Sequence, residues 1–314
     1  MRLFANPRLY RQALTALRLS FAVFFLLPVV AQAQIEITLK KSFIEKYKDR
    51  ATIEADFFID KAHKKPNPPS KDGDMHIAGR SPEEIGLPIV AEIMNASGAP
   101  AAVKAVHAAE GTGEAIPLIG VWRIWCEHAG VDKQAQGEPL ELFDTTNPEH
   151  VFEIHPVTKL KNLNLLTSLK PIVGFKFKDA EQAFLIYERT RFRIIPGGDA
   201  ATIITRMAGF NYVDFKIGLL ADPFEVEDGM MVMASVLDLK GDLLVHKRRM
   251  VFVKGSAPEK AVKNKTKGSV LHVIGIPRID LKLVSWRLEN AAERPEVLEW
   301  DLPYEMVIVG VFQK

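Results

Sequence analysis

Two short stretches place a carboxylate and an imidazole two residues apart: Asp74-Met75-His76 and Glu153-Ile154-His155. In extended backbone that spacing projects both side chains from one face of a strand. Imidazole and carboxylate together can hold a transition ion, transfer a proton, or tie strands together as a hydrogen-bonded network. Asp72, Arg80 and Glu92 lie in the same region or on a neighbouring apolar run. The candidate ligand-binding group is therefore Asp72, Asp74, His76, Arg80, Glu92, Glu153 and His155. The candidate metal ligands are His76, His155, Asp74 and Glu92, because two imidazoles and a carboxylate suit zinc or a similar ion. A structural network accounts for the same residues with no chemistry at all, since semi-buried polar groups need partners. No catalytic residue is assigned and no cofactor is expected, with a divalent metal left open. His128 and His150 belong to turn-like sequence, where exposed histidine is commonplace.

Other catalytic templates are missing. The chain has no Gly-x-Ser-x-Gly elbow, no His-Glu-x-x-His pair and no Gly-rich phosphate loop. Gly111-Thr112-Gly113 and Gly197-Gly198 read as turns.

The elements that would position the candidate residues follow from periodicity. Ile53, Ala55, Phe57 and Ile59 alternate with polar residues, the pattern of a half-buried strand. Lys64 to Ser70 breaks it, and a second strand from Asp74 to Ala78 sets Met75 and Ile77 against Asp74 and His76. Pro88 to Met94 gives a third. The period then lengthens: Pro100 to Ala109 is rich in helix formers and stops at Gly111. Strands over Ala115–Glu127 and Val151–Leu160 complete the region, separated by a polar loop.

Three strands, a short helix and two more strands is the order of an OB-fold, a five-stranded Greek-key barrel. The runs Asp72-Gly73-Asp74-Met75-His76, Val90-Ala91-Glu92-Ile93, Gly120-Val121-Trp122-Arg123 and Glu153-Ile154-His155-Pro156-Val157 resemble a group of exported bacterial OB-fold-like proteins of unassigned activity. In outline that group is similar to thermonuclease-type barrels. The resemblance covers only the N-terminal half. It implies a wall order of strands one, two, three, five and four, which would bring Asp74, His76, Glu92, Glu153 and His155 onto adjacent strands. A thermonuclease site would also need an Arg followed closely by an acidic motif; Arg80-Ser81-Pro82-Glu83-Glu84 lacks the expected Asp, and Arg123 is a loose match for a second Arg.

The first 33 residues carry four Arg, no acid and the apolar run Leu19–Val30 before Ala31-Gln32-Ala33, the layout of a secretory signal peptide. The expectation is a secreted or periplasmic protein with no transmembrane segment after cleavage. Loss of the four Arg takes the formal net charge from +2 to −2, which argues against nucleic acid as partner. A small molecule, an oligosaccharide or a peptide stays open. Cys126 is the sole cysteine, so disulfides do not stabilise the fold, and its apolar neighbours suggest a buried, inert thiol.

The boundaries expected are a signal peptide over 1–33, an OB-like barrel over 34–161 and an antiparallel β domain over 162–314. In the second half, strands are expected over Phe184–Ile195, Thr202–Leu220, Met230–Leu239, Leu243–Lys254, Ser269–Ile276 and Met306–Phe312. Lys240-Gly241-Asp242 reads as a hairpin turn, and a helix is expected near 278–292. The fold class expected is mainly β with minor α. The function expected is an exported non-catalytic binding or scaffolding protein. The alternative is a metal-assisted hydrolase, or a degenerate thermonuclease-like enzyme, centred on His76 and His155.

Overall fold

The computed structural model describes residues 34–130 and 133–312; the expected signal peptide lies outside the described residues. Strand β1 (Ile35–Lys40) leads directly into α1 (Lys41–Tyr47). Strand β2 (Thr52–Ala62) keeps the expected alternation, with Ile53, Ala55, Phe57 and Ile59 buried while Glu54 and Asp56 are exposed. Then come β3 (Met75–Arg80), β4 (Ile89–Ile93), α2 (Pro100–Ala109), β5 (Ala115–Ile124), the short β6 (Lys133–Ala135), β7 (Phe152–Leu160) and β8 (Leu163–Asn164). Helix α2 begins with proline, which suits the first turn because its missing N–H would have no partner there, and it buries Ala102, Val106 and Ala109.

The wall closes as β2-β3-β4-β7-β5 and back to β2. All contacts are antiparallel except β4 with β7. That is the OB-like order expected from the sequence.

The second half is a closed barrel too. After β9 (Lys178–Asp179), α3 (Ala180–Arg189), β10 (Phe192–Pro196) and β11 (Ala200–Thr205), its strands are β12 (Val213–Leu219), β14 (Gly229–Leu237), β15 (Leu243–Val253), β16 (Val270–Ile279) and β17 (Tyr304–Val311). Strand β13 (Phe224–Val226) flanks the wall, α4 (Ala257–Val262) follows β15, and α5 (Leu281–Asn290) follows β16. The closure runs β12-β14-β15-β17-β16 and back to β12. Its one parallel wall contact is β15 with β17. In chain order this is the first barrel's connectivity repeated, with a helix again between the third and fourth strands.

The repeat reaches the residues. Gly120-Val121-Trp122-Arg123-Ile124 on β5 corresponds to Gly275-Ile276-Pro277-Arg278-Ile279 on β16. Arg123 lies opposite Glu153, and Arg278 lies opposite Glu305. Both glycines sit at register shifts. A methyl group on Gly120 would stand 2.4 Å from Ile154 Cγ2 and 2.8 Å from the Pro156 carbonyl oxygen, so only glycine lets the two strands approach this closely.

Two local expectations in the second half change. The segment from Phe184 is helical through Arg189, and only Phe192–Pro196 is strand. Asp179 caps α3 by accepting from the Gln182 amide, and Ala180, Ala183, Phe184 and Tyr187 bury one helical face, a spacing that the strand pattern concealed. Likewise Pro277 lies within β16, opposite Met306, and the following helix starts only at Leu281, with Asp280 as its cap. The hairpin turn at Lys240-Gly241-Asp242 is as expected, with Gly241 at φ +105.

The barrels are packed together through residues on their outer faces. Ala51, Met94 and Val121 of the first join Met231, Val251, Ile276 and Val307 of the second in one buried apolar cluster. A small sheet in the order β10-β11-β1-β6 also links the halves, because β1 pairs antiparallel with β11. The Asp228 carboxylate accepts from the Ala51 amide at 2.9 Å and from the Thr52 amide and hydroxyl at 2.8 and 2.7 Å. The described residues from Gln34 onward form one compact unit.

Two outcomes are expected. Gly120→Ala should cost about 1–3 kcal/mol through overpacking, read as a lower denaturation midpoint in urea. Cys126, buried with its thiol pushed up to about 12 by burial, should resist iodoacetamide in native protein at pH 8 and react once the chain is unfolded.

Candidate functional site

Strand register assembles the candidate residues. On β3, Met75 and Ile77 point into the first barrel's core, so Asp74 and His76 face outward. His76 lies opposite Glu92 on β4. The parallel register of β4 with β7 pairs Ala91 with Ile154, which sets Glu92 beside His155. One row of the wall therefore reads His76, Glu92, His155, and the adjoining row carries Glu153 and Arg123.

His155 is the hub. Its Nδ1 lies 3.3 Å from Glu153 Oε2 and 3.4 Å from Glu92 Oε2. Its Nε2 lies 2.7 Å from the Tyr212 hydroxyl and 3.4 Å from Asp74 Oδ2. Tyr212 comes from the segment just before β12, and its hydroxyl donates to Asp74 Oδ2 at 2.5 Å. Arg123 ion-pairs with Glu153 and donates through Nε to the Pro277 carbonyl at 2.8 Å. Asp74, Glu92, Glu153 and His155 are each no more than 3% exposed.

Around this hub stand two stacked histidine pairs. His76 Nε2 is 3.6 Å from Glu92 Oε2, and its ring stacks on His63 at 4.6 Å between centroids. His150 Nε2 is 3.6 Å from Glu153 Oε1, and its ring stacks on His128. Asp72 and Arg80 do not join the cluster. Asp72 accepts from the Asn67 side chain and the Asp74 amide, shaping the loop before β3, while Arg80 makes a two-pronged pair with Asp60.

Burial sets the electrostatics. It pushes the Glu92 carboxyl up to about 8, against the pull of His155. Burial also raises Asp74, with His155 and Tyr212 opposing. For Glu153 the burial effect is outweighed by Arg123, His150 and His155, which hold its carboxyl well below the usual range. Burial would likewise deprotonate His155, yet Glu92, Asp74 and Glu153 prevail and keep its imidazolium far above the ordinary histidine value. Three carboxyl groups, Asp74, Glu92 and Glu153, thus surround the His155 imidazole, with Arg123 paired to Glu153. Burial shifts His76 down, with Asp72 and Asp74 opposing.

Asp74, Glu92 and His155 offer ligand atoms that all lie within 4.8 Å of one another. His76 stands behind Glu92, outside that group. Arg278 carried no signal as a lone residue in the sequence, and Tyr212 stood out only as one of several second-half aromatics suited to a core or a ligand groove. The repeated Gly-x-x-Arg-Ile could have pointed to Arg278; the positive φ of 52 at Tyr212 is visible only in the fold.

No protein-family model matches the chain, and no curated protein matches it. Among the described residues, no helix is long and apolar enough to cross a membrane.

Tyr212→Phe should cost about 1–3 kcal/mol, because it strips a hydroxyl from two buried groups. Arg123→Met should cost about 3–5 kcal/mol by taking the guanidinium away from the buried Glu153. Urea denaturation checks the order of the two; a neutral Tyr212→Phe would remove the tyrosine as a link between the barrels.

Proposed function

We propose that this is an exported, non-catalytic binding protein whose two OB-like barrels pack into one compact unit and take a ligand in the cleft between them. The supporting observation is a cleft of about 580 Å³ with walls from both barrels. Thr52, Ile119 and Thr158 line it from the first barrel, and Asp228, Val253 and Lys254 from the second. Clefts between packed modules are common ligand sites.

The cleft suits an anionic ligand. Arg50 is engaged by Glu227 and Asp228. Overall four cations, Lys46, Arg50, Lys159 and Lys254, line the cleft against three carboxylates, Glu54, Glu227 and Asp228, and the three lysines are exposed. A carboxylated oligosaccharide or the C-terminus of a peptide matches that balance. The surface of strands two and three that OB barrels commonly use is covered here at Asp74 and Glu92, which moves the ligand site away from the region expected in the sequence.

The hydrolase reading has weaker support. A scissile bond would have to reach both His76 and His155; His76 is partly exposed, but His155 is 0% exposed. The leader layout supports export, with the cell envelope or medium as the place of action.

Isothermal titration of the chain from Gln34 onward with oligogalacturonate should give saturable binding. Neutral oligosaccharide and single-stranded DNA are the comparison arms and should bind far more weakly. Lys159→Glu with Lys254→Glu, both at exposed positions, should weaken oligogalacturonate binding at least tenfold. Binding that ignores this double change, or equal binding of the neutral sugar, would count against the cleft.

A further inference from the structure

The buried wall of the first barrel holds a donor set that the proposed ligand cleft does not use. We propose that Asp74, Glu92 and His155 bind one divalent transition ion of the zinc type, closed off from solvent by the second barrel. The three residues come from or adjoin β3, β4 and β7, which are held side by side by backbone pairing, so their convergence is fixed by the wall itself. Their ligand atoms lie within 4.8 Å of one another. Tetrahedral zinc with bonds of about 2.0–2.2 Å needs donors roughly 3.4 Å apart. His155 Nε2 and Asp74 Oδ2 already stand 3.4 Å apart.

A second observation points to a ligand. Asp74 is 0% exposed, and its Oδ1 has no hydrogen-bond partner, although Oδ2 of the same carboxylate accepts from Tyr212. A buried carboxylate oxygen without a donor is costly unless a cation meets it.

The surroundings match those of metal-bound histidine. When one imidazole nitrogen binds an ion, the other usually donates to a carboxylate that fixes the tautomer. His155 Nδ1 faces Glu153, which Arg123 and His150 hold in place, and also Glu92 at 3.4 Å, so Glu92 and the Tyr212 hydroxyl beside Nε2 would both shift to admit the ion. His76 stands against Glu92 in the same supporting way. One imidazole nitrogen and two carboxylates favour zinc over magnesium or calcium, which prefer oxygen alone. Because the donors are covered, the ion would be structural, and it would be captured as the barrels close.

The experiment uses untagged mature protein. Metal content is measured by mass spectrometry as purified, and again after unfolding with chelator and refolding with zinc. About one zinc per chain after refolding is expected, together with tetrahedral ligand-field absorption when cobalt replaces zinc. Asp74→Asn and Glu92→Gln should lose the ion, Glu153→Gln should weaken it about 10–100-fold, and the exposed His107→Ala should keep it. Circular dichroism identifies any variant that fails to fold, and the wild-type cobalt spectrum decides the matter independently of the variants. Zinc well below one per chain after refolding, an absent tetrahedral band, or equal zinc in folded Asp74→Asn would overturn the site. None of these outcomes bears on ligand binding in the cleft.

Discussion

Two buried arginines organise the molecule. Arg123 donates to the carbonyl of Pro277, and Arg278 donates at 3.0 Å to the carbonyl of Trp122. Since Arg123 corresponds to Arg278 and Trp122 to Pro277, the two bonds are the same contact made in both directions. This is the pattern of a two-fold interface, here formed within one chain. A guanidinium this deeply buried is tolerable only when charge and donors are both satisfied. Glu153 and Glu305 supply the charge, and the facing barrel supplies the carbonyls. Neither barrel can be withdrawn without leaving an arginine short of partners.

The symmetry stops at the outer wall. The strand positions that carry His76, Glu92 and His155 in the first barrel carry Met231, Val251 and Val307 in the second. These apolar residues pack in the cluster between the barrels. The polar counterparts occupy a pocket of charge closed by Tyr212. The same backbone thus serves two ends: one wall is adhesive, and the other concentrates ionisable groups where water is excluded. Had packing been the sole requirement, the apolar solution was already available in the fold, as replacing buried ion pairs with hydrophobic groups often is.

Much of the first barrel was legible in the sequence, because strand alternation survives wherever one face is buried. Ile53 to Ile59 and Met75 with Ile77 show the period directly, and the OB-like order then placed Asp74, His76, Glu92, Glu153 and His155 on one wall. The second barrel's closure was not legible. It depends on the parallel contact of β15 with β17, for instance Met250 with Met306, and distant pairing leaves no local trace. The strand-like hydrophobicity of Phe184 to Ile195 likewise hid the end of a helix whose cap, Asp179, lies before the apolar run. The repeat leaves little trace in the sequence because it survives in a few anchored positions, such as Gly120 with Gly275, and in backbone path more than in residue identity.

Strand β1 has its antiparallel partner, β11, far along the chain: Thr38 and Thr202, whose hydroxyls lie 2.9 Å apart, are separated by 164 positions. Contacts of such reach form late, since a long loop must close before they are rewarded. A chain emerging in order from its N-terminus therefore offers an unpaired β-edge and an uncovered charged wall until more than half its length has appeared. Closure of this fold therefore waits on the second barrel.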